Sequence, residues 1–191
     1  MKARHIFVFG NTIIYALLPL WTYGGKGGLV WWHFILYIPA LLLLAYGMHR
    51  LFERFQPSTT TLALLQIGLV LHFIGGLSYA DTRIYNMSIG FIRFDKIVHF
   101  LNAFIGTLAL KDILKVYLTP LRNLQIFFLT FIVLGFGGCI EILEYIGTHF
   151  VHGIAPENLY DNNMRDLIAN FLGALLGALW SRHTLSASAQ K

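Results

Sequence analysis

The sequence predicts an all-α protein, a transmembrane bundle of about six helices. Composition and spacing both point there. Of 191 residues, 57% are hydrophobic and 12% are charged, about half the roughly 25% charged residues of an average soluble domain. The apolar residues gather in runs of about 20, the length of helix that crosses a hydrocarbon core of about 30 Å. Polar, glycine-rich or proline-containing segments separate the runs.

The spans fall at about 5–22, 29–48, 62–80, 96–118, 123–147 and 165–182. The first follows the basic start Met1-Lys2-Ala3-Arg4 and ends in Leu18-Pro19-Leu20-Trp21 with no small-x-small cleavage site, so it reads as an uncleaved helix. Gly24-Gly25-Lys26-Gly27-Gly28 breaks it from the second span. His49 to Thr61 with Pro57, Ser78 to Asp95, Thr119-Pro120, and Thr148 to Asn163 with Pro156 supply the later breaks. Residues 1–191 read as one integral membrane domain, and the small polar tail from Ser186 reads as disordered. The single cysteine, Cys139, lies inside an apolar run; it excludes an intramolecular disulfide and reads as a small packing residue. The net charge of +5 does not indicate nucleic acid, because the basic residues are scattered at span ends, where lipid headgroups are the natural partner.

Lysine and arginine also set orientation. Lys2, Arg4, Arg50, Arg54, Lys111, Lys115, Arg122, Arg182 and Lys191 fall on one side, and Lys26, Arg83, Arg93, Lys96 and Arg165 on the other. Nine against five places both termini in the cytoplasm.

Ionisable residues inside such spans are expensive and mark sites by default. With residues three or four apart sharing a helix face, Asp95, His99, Asn102 and Gly106 form one stripe on the fourth span. Gly137, Glu141, Glu144 and Thr148 form another on the fifth, its carboxylates about 60° apart around the axis. Asp166, Asn170, Gly173 and Gly177 continue down the sixth, and His72, Gly75 or Gly76, and Tyr79 share a face of the third. The alternating topology puts all four stripes in the outer half of the bilayer. Tyr160 and Asp161 fall in the loop before the sixth span. Each residue alone has a plainer reading: Asp95 or Asp166 at a helix dipole, His99 on a backbone carbonyl, His72 as packing, Glu141 and Glu144 in a salt bridge to Arg93 or Arg165. Gly173 and Gly177 read as helix packing.

Together, one imidazole and several carboxylates make a mixed nitrogen and oxygen ligand set, suited to Zn²⁺, Mn²⁺ or Fe²⁺, with oxygens alone suiting Mg²⁺ or Ca²⁺. His99, Glu141, Glu144 and Asp166 are the candidate metal ligands, with Asp161 a fifth. Asp95 would orient or polarise, and a carboxylate left free would act as a base. Arg93 and Lys96 would hold an anionic group, and His72 and Tyr79 complete the candidate substrate-binding residues. There is no His-Glu-x-x-His and no Gly-x-Ser-x-Gly.

Leu71-His72-Phe73-Ile74-Gly75-Gly76-Leu77-Ser78-Tyr79, Phe94-Asp95-Lys96-Ile97-Val98-His99-Phe100, Glu141-Ile142-Leu143-Glu144-Tyr145 and Tyr160-Asp161-Asn162-Asn163-Met164-Arg165-Asp166-Leu167 resemble, in order, the motifs of the YjdF-like bacterial inner-membrane proteins. The Asp-Lys-x-x-His-Phe opening and the Asp-x-x-x-Asn-x-x-Gly ending also resemble the wider VanZ-like grouping. The resemblance spans about residues 62–182. It departs at Phe94, where the family often has Tyr, and at His149 and His152, which match nothing in it. It implies a polytopic bundle and, through VanZ-like association with glycopeptide resistance, the cell envelope; it implies no catalytic assignment.

Three functions are open on these residues: an envelope enzyme with a metal-supported site acting on a lipid or lipid-linked phosphate, a non-catalytic binder that shields or moves an amphiphile, and a small cation-coupled carrier. The orientation is directly testable. A reporter fused after Lys191 should be active only when the reporter is one that works in the cytoplasm; activity of a periplasm-dependent reporter there would invert the topology.

Overall fold

The computed structural model describes residues 3–23, 38–79, 82–118, 124–152 and 159–188. Among them are six α-helices: α1 (Ala3–Tyr23), α2 (Ile38–Phe55), α3 (Thr59–Gly76), α4 (Phe94–Leu118), α5 (Gln125–His152) and α6 (Leu159–Ser188). Three are long and apolar enough to cross a membrane: α3, α4, and α5 over Gln125–Leu143. The expectation of about six spans exceeds this number. The reason is legible in the helices themselves. The last turns of α2 carry His49, Arg50, Glu53 and Arg54, and the first turns of α6 carry Asp161, Asn162, Asn163, Arg165 and Asp166. Residues 29–37 of the expected second span lie outside the described residues. So do 189–191, while α6 runs through Ser188, into the stretch read as a disordered tail.

The chain divides into two compact units, residues 1–62 and 63–191. In the first, α1 packs against α2. Phe7 and Phe52 approach with ring centroids 5.8 Å apart, and Val8 and Phe52 are buried. The helix α2 ends because Gln56 precedes Pro57, which disfavours helical backbone at the residue before it. Gln56 takes a left-handed φ of 50°, its N–H still bonded to the Phe52 carbonyl at 3.0 Å, as in an αL helix cap. Ser58 then caps α3, its Oγ accepting the Thr61 N–H at 3.2 Å.

The second unit is built around α4, with α6 packed against both α4 and α5. Between α3 and α4 the expected loop contains two short antiparallel ribbons, β1 (Ser78–Tyr79) with β2 (Thr82–Arg83), and β3 (Ser88–Ile89) with β4 (Ile92–Arg93), separated by a 3₁₀ turn at Ile84–Asn86. The second ribbon turns at Gly90, whose φ of +65° suits a two-residue hairpin. It delivers the chain straight into α4 at Phe94.

Small residues on α6 let it approach α4 closely, as helices do where lipid offers no hydrophobic drive. Gly173 lies under the Phe100 carbonyl; a Cβ built on Gly177 would come 2.9 Å from the Phe104 carbonyl oxygen. Ala174 and Ala178 are fully buried on the same face. On α5, Gly137 makes room for Asn170, while Phe127, Phe131, Phe136, Ile140 and Leu143 are exposed, an apolar surface suited to lipid. Cys139 belongs to that outward stripe and is exposed, not a packing residue, because it sits one turn from Phe136 and from Leu143.

The glycine contacts give a paired prediction. Gly173→Ala should destabilise the bundle by about 1–3 kcal/mol, because the added methyl meets backbone that cannot move alone. Gly135→Ala, with nothing within 4 Å of the new Cβ, should be neutral or mildly stabilising. Thermal unfolding in detergent reads both; equal melting temperatures would refute the close contact.

Candidate functional site

The ribbon β3–β4 sets where α4 begins, and with it the face that Asp95 and His99 share. Asp95 lies in the first turn of α4, and His99 follows one turn later. His99 Nε2 is 3.4 Å from Asp95 Oδ1 and 3.5 Å from Asp166 Oδ1 of α6. Its other nitrogen, Nδ1, lies 3.6 Å from Glu141 Oε1 of α5. Four predicted site residues from three helices therefore meet around one imidazole. Asp166 and Glu141 are buried, with 1% and 3% of their surfaces exposed.

Lys96 ties this set together. Its Nζ donates to Asp166 Oδ1 at 2.6 Å, to Asp95 Oδ2 at 2.9 Å and to Asn162 Oδ1 at 2.9 Å, with the Asn162 carbonyl at 3.3 Å. An ammonium has three donors, and these neighbours take them up. Lys96 bridges the two aspartates of the cluster, where the sequence suggested a grip on an external anion. Asn162 completes the arrangement, its Nδ2 donating to Asp166 Oδ2 at 2.9 Å. Arg93 donates to Asn162 Oδ1 at 3.1 Å and to Asn86 Oδ1 at 2.6 Å. Asn163, also buried, donates to the Glu141 backbone carbonyl at 3.2 Å.

The remaining candidates are placed differently. Asp161 lies in the first turn of α6, not in a loop, and its exposed side chain pairs with Arg165 at 2.9 Å. Arg165 pairs with Asp161, and Arg93 bonds Asn86 and Asn162, where the sequence offered a salt bridge from either to the glutamates of α5. His72 accepts or donates through Nδ1 with Tyr85 Oη at 2.5 Å. Tyr79 is 66% exposed on β1. Glu144 lies on α5 one turn from Glu141, and its side chain lies outside the described residues.

Asn162, Asn163 and Tyr85 were not singled out from sequence. The first two had a signal: once α6 is started at Leu159 rather than about 165, Asn162 falls four residues before Asp166, and Asn163 falls three before it, on the stripe that continues to Asn170. Tyr85 had none, since its approach to His72 depends on the 3₁₀ turn.

A cleft of 460 Å³ opens beside this cluster, lined by His72, Arg83, Arg93, Asp95, Lys96 and His99 together with Arg165. One ligand atom each from Asp95, His99 and Asp166 lie within 4.8 Å of one another. Two ligands on one tetrahedral ion with bonds near 2.05 Å stand about 3.3 Å apart, close to the His99–carboxylate distances. The set fits a divalent cation if Lys96 swings aside, and as it stands it is an ion-pair network in which Lys96 bridges Asp95 and Asp166.

A family model described as a predicted membrane protein, DUF2238, matches residues 6–187. No curated protein and no solved structure matches the chain.

The role of Lys96 predicts a mutational pattern. Lys96→Met leaves two shielded carboxylates without their cation and should destabilise the protein by about 3–5 kcal/mol. Adding Asp166→Asn should restore much of that loss. Chemical unfolding of the two variants in detergent checks it; a single variant as stable as the parent would mean that Lys96 is not the neutralising partner.

Proposed function

The chain belongs to the DUF2238 family of predicted membrane proteins, the YjdF-like family whose motifs it carries, and we propose that it binds the phosphate-bearing headgroup of a membrane amphiphile and, with a divalent cation, hydrolyses it, water taking the phosphoryl group and the amphiphile leaving as its alcohol. One observation carries the reading. The Asp95, His99 and Asp166 ligand atoms converge beside a cleft that also presents Arg83, Arg93 and Arg165. Arg83 and Arg165 are exposed and Arg93 half-buried, so they would meet an anion first, and guanidinium groups match phosphate oxygens in pairs.

In this reading Asp95, Asp166 and His99 Nε2 would hold a divalent cation, and the chemistry it would supply is Lewis-acid stabilisation of charge on the phosphate. Glu141 sits on the opposite nitrogen of His99, where a carboxylate fixes the orientation of a metal-binding imidazole. Its role is then to position His99 rather than to ligate. Lys96, displaced from the carboxylates, would turn to the substrate. The reading puts the site in the outer leaflet of a bacterial inner membrane with cytoplasmic termini; the lysine and arginine distribution supports that orientation, and the VanZ-like resemblance supports an envelope substrate.

A second reading has its own support. Lys96 already pairs with both Asp95 and Asp166 at 2.9 and 2.6 Å, holding the carboxylates that a metal would need. The protein would then bind or shield the amphiphile without turning it over.

Elemental analysis and turnover separate them. Purified protein should lose one equivalent of divalent metal on His99→Ala or Asp166→Asn. Release of phosphate from a lipid phosphate monoester in mixed micelles should fall by on the order of 10²–10⁴ in the same variants. Metal content unchanged by His99→Ala would remove the metal from this site. Headgroup binding that persists without turnover, and weakens on Arg83→Gln or Arg165→Gln, would establish the second reading.

A further inference from the structure

A second convergence of metal-ligating side chains lies in the unit formed by α1 and α2, and it plays no part in the site above. His49 and Glu53 stand one turn apart near the C-terminus of α2, with His49 Nε2 3.6 Å from Glu53 Oε1. His5, in the first turns of α1, brings its ring to 5.2 Å from that of His49, centroid to centroid, with the ring planes at 89°. One ligand atom from each of the three lies within 4.8 Å of the others.

The placement is fixed from both helices. The αL turn at Gln56 folds its side chain back, so that Nε2 donates to the Glu53 carbonyl at 2.5 Å and Oε1 accepts from Arg4. Arg4 and His5 are neighbours, so this bond clamps the start of α1 to the end of α2. It also holds the Arg4 guanidinium on Gln56, an uncharged partner. Phe9, one turn after His5, packs its ring 6.1 Å from that of His49.

An edge-to-face contact beside a helical His–Glu pair would account for part of this geometry. Two features go further. His5 Nε2 is shielded from solvent and has no hydrogen-bond partner, although a shielded ring nitrogen is normally satisfied. The spacing is also that of shared ligation. An imidazole centroid lies about 1.15 Å beyond its nitrogen, so two imidazoles on one tetrahedral ion have centroids about 5.2 Å apart. A carboxylate and an imidazole on that ion stand about 3.3 Å apart, against 3.6 Å for Glu53 and His49.

We infer that His5, His49 and Glu53 form a binding site for a divalent transition-metal ion that joins α1 to α2. Two imidazoles and one carboxylate suit Zn²⁺ or Co²⁺ better than Mg²⁺ or Ca²⁺, which prefer all-oxygen sets. Three protein ligands leave a fourth position open to water, and Glu53, with 44% of its side chain exposed, lies on the side from which an ion can enter.

The experiment uses the full chain in detergent, stripped with a chelator and titrated with Co²⁺, whose visible absorption reports its ligands. Equivalents bound are compared in the parent, His49→Ala, Glu53→Gln and His99→Ala. The expected result is one equivalent fewer in His49→Ala, a Co²⁺ affinity for that equivalent at least about tenfold weaker in Glu53→Gln, and the equivalent retained in His99→Ala. Glu53 is exposed, so Glu53→Gln keeps the fold and decides the matter even where His49→Ala does not fold. Absence of Co²⁺ binding in the parent, or a parent-like titration of Glu53→Gln, overturns the site. Loss of an equivalent only in His99→Ala overturns it too, while leaving the cluster on α4 and α6 standing.

Discussion

Burying Asp166 requires a cation, and Lys96 supplies it across the gap between α6 and α4. The carboxylate has 1% of its surface exposed. An ionised group so placed, left alone, would carry a desolvation penalty of several kcal/mol. Lys96 Nζ at 2.6 Å offsets that penalty, and Asn162 bonds the second carboxylate oxygen. Asp95 shares the same ammonium and His99 closes the ring, so each of the four owes its position to the others. Removing one charge therefore changes the environment of all of them, and the cluster behaves as one polar object inside an apolar bundle.

Helix packing makes the ion pair reachable. From Asp166, the α6 face continues through Asn170, Gly173 and Gly177 at the three- and four-residue spacing of one helix side. The glycines admit the α4 backbone at Phe100 and Phe104, one turn and two turns beyond Lys96. The glycine contact fixes the distance between the helices, and the ion pair fixes their register. Each would be loose without the other, since a glycine seam alone can slide and a lysine alone is long and flexible.

Much of this was legible in the sequence, and for identifiable reasons. The spacings that unite Asp95 with His99 and Asp166 with Gly173 are local helical geometry, which a sequence states directly. That α4, α5 and α6 bring those faces together followed from the expense of separate ionised groups near lipid. The start of α6 was harder, because Tyr160, Asp161, Asn162 and Asn163 have the composition of a loop. Their helix is held by tertiary bonds from Asn162 to Lys96 and from Asn163 to Glu141. Lys96 was read as facing an external anion for a similar reason, since the sequence shows its charge but not the two carboxylates it reaches. The pairing of His5 with His49 was passed over entirely. Forty-four positions separate them, and no local periodicity connects the first turns of one helix to the last turns of another.

The Lys96–Asp166 bond joins residues 70 positions apart, and that separation has a consequence for biogenesis. At about 5–20 residues per second, roughly 4–14 s of synthesis elapse between the two. During that interval α4 exists without α6. Asp95 and Lys96 are adjacent and bonded to one another at 2.9 Å, so α4 carries a counter-charge for its own carboxylate before α6 is made. Asp166 follows Arg165, whose side chain pairs with Asp161; its own partners are Asn162 in the same helix and Lys96, which is already made when it arrives. The Asp95–Lys96 pair thus emerges first, and the carboxylate that shares its ammonium emerges last.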